Sequence, residues 1–144
     1  MIESTPRATL IHYLELWAGE TPGKVWLRER RDDSLAELTW AQAREQIQSV
    51  AAWLENSYAS GTSVALLSRN RAHWVLADRA SIAAGGVTGP VFTTLPSSTA
   101  HYILDFSEAR VLFLGEAANW LAVREVLPAG ITVITLPGVD IDYP

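Results

Sequence analysis

From Gly61 onward this chain alternates short, continuous apolar runs with stretches of helical spacing. Val64-Ala65-Leu66-Leu67 is such a run, as expected of a strand covered on both faces. Asn70 is placed to cap a helix over 71–84, which Gly85-Gly86 ends. Val87–Val91 reads as the next strand, followed by a loop through Pro96 and a helix from Ser98 to Ser107. Arg110–Leu114 is strand again, Ala117–Val126 a helix that Pro128 and Gly130 break, and Ile131–Leu136 a further strand. Strands thus begin at Val64, Val87, Arg110 and Ile131, at intervals of 23, 23 and 21 residues. That spacing suits strand, short helix and return, the unit of a parallel sheet with right-handed crossovers. The units share no sequence self-similarity, so the pattern is alternating α/β and not a solenoid.

Upstream the rhythm differs. Thr9 is a candidate N-cap for a first helix with Leu10, Tyr13, Leu14 and Trp17 at helical spacing, stopped by Pro22-Gly23. Val25-Trp26-Leu27 and Ala36-Glu37-Leu38 flank the polar turn Arg31-Asp32-Asp33-Ser34, which predicts an antiparallel hairpin. Thr39-Trp40-Ala41-Gln42 fits a capping box, and Ala43, Ile47, Val50, Ala51 and Leu54 recur on one helical face behind it. The expected fold is α/β: a mainly parallel sheet with helices on both faces, plus a small N-terminal hairpin and helix. Residues 1–144 read as a single domain, with 137–144 an irregular tail.

Composition narrows the function. A formal charge of −5 argues against nucleic acid, which needs a basic face to release counterions. No apolar run approaches the ~20 residues of a membrane helix, and Met1–Leu10 lacks the apolar stretch of a secretion signal. Cytoplasm is the default location. Without cysteine there is neither a disulfide framework nor thiolate chemistry. The six tryptophans are expected to fill the core and cover interfaces.

Catalytic constellations are missing. There is no P-loop and no nucleophile elbow, and Gly85-Gly86-Val87-Thr88-Gly89 follows a helix and precedes a strand, the reverse of a dinucleotide fingerprint. His12, His73 and His101 have no partner at zinc-site spacing. The carboxylate pairs Asp32-Asp33 and Asp140, Asp142 fall in a turn and the tail, where burial would not raise a carboxyl pKa for acid catalysis. What remains is positional, because ligands of open parallel sheets bind beyond the carboxyl ends of the strands. Those ends are Ser68-Arg69-Asn70, Phe92-Thr93-Thr94-Leu95-Pro96 and Gly115-Glu116. The middle one offers an aromatic and two hydroxyls; its plainer reading is a loop whose Phe packs and whose Thr side chains satisfy local amides.

The wording of these segments resembles a known family. Thr62–Asn70, His73-Trp74-Val75-Leu76-Ala77-Asp78, Ala83–Val91, Leu95-Pro96, Tyr102-Ile103-Leu104 and Ser107–Phe113 are similar to the N-terminal region of the AMP-forming adenylating enzymes, the superfamily of acyl-CoA synthetases, luciferases and peptide synthetases. Pro22, Val25 and Thr39-Trp40 extend the resemblance over nearly the whole chain. It implies a parent several times longer that activates a carboxylate with ATP and magnesium to an acyl adenylate, then passes it to coenzyme A. The phosphate loop ending in Pro-Lys, the adenine motif, the magnesium-binding Glu, the ribose-binding Asp and the catalytic Lys would all lie beyond this segment.

No catalytic, ATP-binding or metal-binding residue is therefore expected here, and no cofactor bound by the segment alone. In the acetyl-CoA synthetase branch the matching loop lies near the adenine end of coenzyme A, which carries a coenzyme A contact onto Phe92, Thr93 and Thr94. That branch has glycines where this chain has Thr93 and Thr94, and arginines over the stretch Gly115–Trp120; the nearest here is Arg124. The detailed wording is closer to the long-chain fatty acyl branch, which implies a fatty-acid substrate for the parent and allows a peripheral membrane location. Further expectations are docking against the rest of the parent and a homodimer through an exposed apolar face. The alternative is a standalone α/β ligand-binding or protein-interaction module, which would unfold cooperatively as a monomer.

Overall fold

The computed structural model describes residues 9–31 and 33–139. Helix α1 (Leu10–Glu20) is followed by strands β1 (Val25–Arg31) and β2 (Ser34–Thr39) and by helix α2 (Trp40–Ser57). Then come β3 (Ser63–Leu67), α3 (Ala72–Ala83), β4 (Val87–Val91), α4 (Ser97–Phe106), β5 (Val111–Leu114), α5 (Trp120–Val123) and β6 (Thr132–Thr135). β1 and β2 pair antiparallel, and the hairpin extends past the three-residue strands that sequence suggests. The other four strands form one sheet in the order β4-β3-β5-β6, every neighbour parallel.

The caps explain where the early helices begin. Thr39 accepts from the Gln42 amide at 3.3 Å while the Gln42 side chain accepts from the Thr39 amide at 3.0 Å. Thr9 likewise accepts from the His12 amide at 3.1 Å. One expectation changes. Helix α5 starts only at Trp120 and passes into a 3₁₀ turn over Arg124–Val126, so 117–119 is a turn instead of helix. The buried face of α1 is Leu14 and Ala18, whereas Leu10, Tyr13 and Trp17 remain 53%, 49% and 40% exposed.

β3 and β5 alternate their side chains between two cores. Val64, Leu66, Val111 and Phe113 meet Leu54 of α2 and Ala77 of α3 on one face. Ala65, Leu67, Leu112 and Leu114 meet Ala100 and Leu104 of α4 with Trp120 and Val123 of α5 on the other. This division follows from handedness. β3 to β4 runs one way along the sheet and β4 to β5 to β6 the other, so crossovers of one hand place α3 opposite α4 and α5. A third cluster, with Leu14, Ala43, Ile47, Ala51, Leu76 and Ala80, packs α1 onto α2 and α3. Of the tryptophans only Trp120 is core; Trp26 and Trp40 stack half-buried at 4.4 Å, and Trp17 and Trp53 are exposed. Asp140, Asp142 and the end of the expected tail lie outside the described residues, as do Met1–Ala8 and Asp32.

Candidate functional site at the carboxyl edge of the sheet

The connections leaving the adjacent strands β3 and β5 run in opposite directions along the sheet, so the carboxyl ends of these two strands form the switch point where open α/β sheets hold ligands. The three strand-end segments picked out in the sequence do converge on this edge. Between β3 and β5 the gap is sealed by backbone. Gly115 donates to the Leu67 carbonyl and Arg69 to the Glu116 carbonyl, both at 2.9 Å. A Cβ on Gly115 would stand 1.9 Å from Ser68 Oγ, so only glycine lets the two chains close this tightly.

On the α3 side lies a polar cavity of about 390 Å³ lined by Glu29, Arg30, Arg69, Asn70, Arg71, Glu116 and Gly138. Asn70 does not cap α3. Arg71 occupies the N-cap position without a side-chain cap, and Glu29 Oε2 from the hairpin accepts the Ala72 amide at 2.9 Å. A carboxylate at a helix N-terminus satisfies a free amide and the positive end of the dipole together. Arg71 secures the arrangement: Nη2 donates to the Pro137 carbonyl at 2.8 Å, Nε lies 3.5 Å from Glu29 Oε1, and Nη1 lies 4.0 Å from Glu116 Oε1. The Arg71 and Glu29 side chains are only 6% and 15% exposed, whereas the Arg69–Glu116 pair stands in solvent. The helix terminus is filled by the protein's own carboxylate, so it is no cradle for ATP phosphates. Sequence reasoning missed Glu29 and Arg71 because neither strand position nor helix start betrays a contact 43 residues away.

On the α4 and α5 side lies the loop that carries Phe92, Thr93 and Thr94. Phe92 is 70% exposed instead of packed. Thr93 and Thr94 lie in a turn closed by the Leu95 amide on the Phe92 carbonyl at 3.3 Å, and among the described residues neither hydroxyl satisfies a local amide. Asn119, from the turn before α5, donates through Nδ2 to the Leu95 carbonyl at 2.8 Å and the Phe92 carbonyl at 3.5 Å. An exposed ring beside two hydroxyls suits the flat face of a nucleobase. Nothing in the loop is a cation for phosphate.

Other candidate chemistry stays apart. No group of three His, Cys, Asp or Glu gathers for a metal among the described residues. His101 is engaged with the Val126 carbonyl at 2.6 Å. A cleft of about 500 Å³ lined by residues such as Gly61, Glu108 and Arg110 lies at the amino ends of the strands, away from the switch point. No described helix is long and apolar enough to cross a membrane.

Residues 14–142 match the family model described as AMP-binding enzyme. Over 123 residues the chain is 29% identical to the long-chain-fatty-acid–CoA ligase FadD15 of Mycobacterium bovis, an alignment covering 83% of this chain and 20% of that protein. The same figures hold for FadD15 of Mycobacterium tuberculosis. The chain thus spans about a fifth of the length of the curated relatives it matches. Among solved structures, the fatty acyl-adenylate ligase from L. pneumophila, in complex with acyl adenylate and pyrophosphate, is 19% identical with a TM-score of 0.75, over 92% of this chain and 24% of that one. The N-terminal subdomain of Klebsiella oxytoca NpsA is 20% identical with a TM-score of 0.69, over 89% of this chain and 31% of that one. At these identities the likeness is one of fold: this is the first-subdomain architecture of adenylating enzymes.

Proposed function

Because the chain belongs to the AMP-binding enzyme family, we propose that it is the N-terminal segment of an AMP-forming acyl-CoA synthetase acting on a fatty acid. The parent converts ATP and the carboxylate to an acyl adenylate, with magnesium on the phosphates, and then transfers the acyl group to the thiol of coenzyme A. The observation that carries this reading is the family match over residues 14–142, reinforced by alignment of 83% of the chain to a fifth of a fatty-acid–CoA ligase.

Within that parent this segment is scaffold. Its polar cavity is committed to internal ion pairs and the N-terminus of α3 to Glu29, so ATP and magnesium are assigned to the remainder of the enzyme. Coenzyme A is assigned a contact here, at Phe92, Thr93 and Thr94, where the exposed ring receives the adenine and the hydroxyls flank it. The exposed apolar positions are docking surface for the remainder of the enzyme. The segment alone is inactive, and the location is the cytoplasm.

Two measurements test this. Reading the gene beyond the codon for Pro144 is expected to reveal a Ser/Thr/Gly-rich loop ending in Pro-Lys; a stop codon there would overturn the proposal. ATP–pyrophosphate exchange by the purified segment is expected to be absent, and its detection would refute the assignment of adenylation to the missing part.

A further inference from the structure

We infer that Asn119 is the positioning residue of the Phe92–Leu95 loop, and that in the synthetase it sets affinity for coenzyme A without touching the nucleotide. The inference rests on the coenzyme A contact proposed above. Asn119 stands at the N-cap position of α5, where an asparagine side chain ordinarily accepts an amide of its own helix. Here it makes no such bond; the backbone carbonyl of Asn119 alone receives the Ala122 and Val123 amides, at 3.1 and 3.0 Å. The side chain turns instead to the neighbouring loop, and Nδ2 grips both the Leu95 and Phe92 carbonyls. Two carbonyl oxygens demand a donor, which fixes which end of the amide faces them. Oδ1 is left buried without a hydrogen-bond partner, so nothing but those two carbonyls orients the group.

The latch ties together loops of strands that do not touch, since β3 lies between β4 and β5. Its anchor is firm: Trp120, the next residue, is 5% exposed in the core. Phe92, by contrast, has its ring in solvent and its backbone held by this amide and the Leu95 turn. A loop that must present an aromatic face in one orientation gains from a rigid support outside itself.

The test is steady-state kinetics of the full-length synthetase with coenzyme A varied, for Phe92→Ala, Asn119→Asp and the double variant. Asn119→Asp keeps the shape but sets a carboxylate against two carbonyl oxygens. It is expected to raise the KM for coenzyme A about tenfold, the loss of a supported hydrogen bond, with kcat and ATP–pyrophosphate exchange within about twofold. The double variant should be no worse than Phe92→Ala. If Phe92→Ala raises KM and Asn119→Asp does not, or if Asn119→Asp lowers kcat alone, the inference is overturned. If Phe92→Ala has no effect, the coenzyme A contact itself fails, and the latch is then judged on chymotryptic cleavage after Phe92 in the full-length synthetase. Cleavage about tenfold faster in Asn119→Asp upholds the latch, and an unchanged rate rejects it. Asn119→Ala, read in the same way, replaces any variant that does not fold.

Discussion

Arg71 and Glu29 meet where the hairpin abuts the sheet, Nε to Oε1 at 3.5 Å, and both side chains are almost wholly removed from water. Glu29 spends its other oxygen on the first amide of α3, and Arg71 spends Nη2 on the carbonyl of Pro137. One ion pair thus joins hairpin, helix and the exit of β6. Losing the cation would take the Arg71 counter-charge away from a largely buried carboxylate. Arg71→Leu is therefore expected to lower the unfolding free energy by about 3–5 kcal/mol in urea titration. Adding Glu29→Gln should recover part of the loss by removing the stranded charge. Arg69→Ala, which breaks the exposed pair with Glu116, should cost no more than about 1 kcal/mol.

The close approach of Gly115 to Ser68 makes a second, sharper prediction. A Cβ at position 115 would lie 1.9 Å from Ser68 Oγ and 2.5 Å from Ser68 Cβ. Gly115→Ala is expected to destabilise by about 1–3 kcal/mol through overpacking. Ser68→Ala removes only the oxygen, so it should not rescue the variant, whereas Ser68→Gly should rescue it in part. Equal recovery by both would show that the backbones had moved apart instead.

The capping box at the start of α2 should be separable from packing. Thr39→Ala removes the acceptor for the Gln42 amide and is expected to cost about 1 kcal/mol in thermal or urea unfolding. Thr39→Ser keeps that oxygen and should stay within a few tenths of a kcal/mol.

Leu10, Tyr13 and Trp17 form an exposed apolar stripe along α1. We propose this stripe as the seam of a homodimer of the isolated segment, since apolar patches of this kind seek cover. Sedimentation velocity should show a concentration-dependent dimer that Tyr13→Glu with Trp17→Glu converts to monomer. A native chain that stays monomeric at high concentration would exclude the dimer.

The pattern of the chain was enough to place the strands. Val64–Leu67 and Val111–Leu114 are continuous apolar runs because the sheet is covered on both faces, and a strand buried twice has no polar side to show. Thr39 with Gln42 was legible because a capping box is written within four residues, and the chain's own wording carried the family resemblance. The spacing of Leu10, Tyr13, Leu14 and Trp17 gave helix α1 but not its covered face, because spacing cannot tell a covered face from one awaiting cover. The start of α5 was misread because Ala117 and Ala118 favour helix, yet the turn there lets Asn119 reach the loop after β4.

What the sequence determined by itself was local: hydrophobic period, caps, glycine turns and the alternation that makes a parallel sheet, each encoded in neighbouring residues. Only the tertiary structure decided the order β4-β3-β5-β6, and with it which loops share an edge. Glu29 displaced Asn70 as the cap of α3 because the hairpin folds back onto that helix, and a buried charge takes the partners that topology supplies. Asn119 reached Phe92 and Leu95 for the same reason: both loops turn toward one face of the sheet, a proximity that separation along the chain conceals.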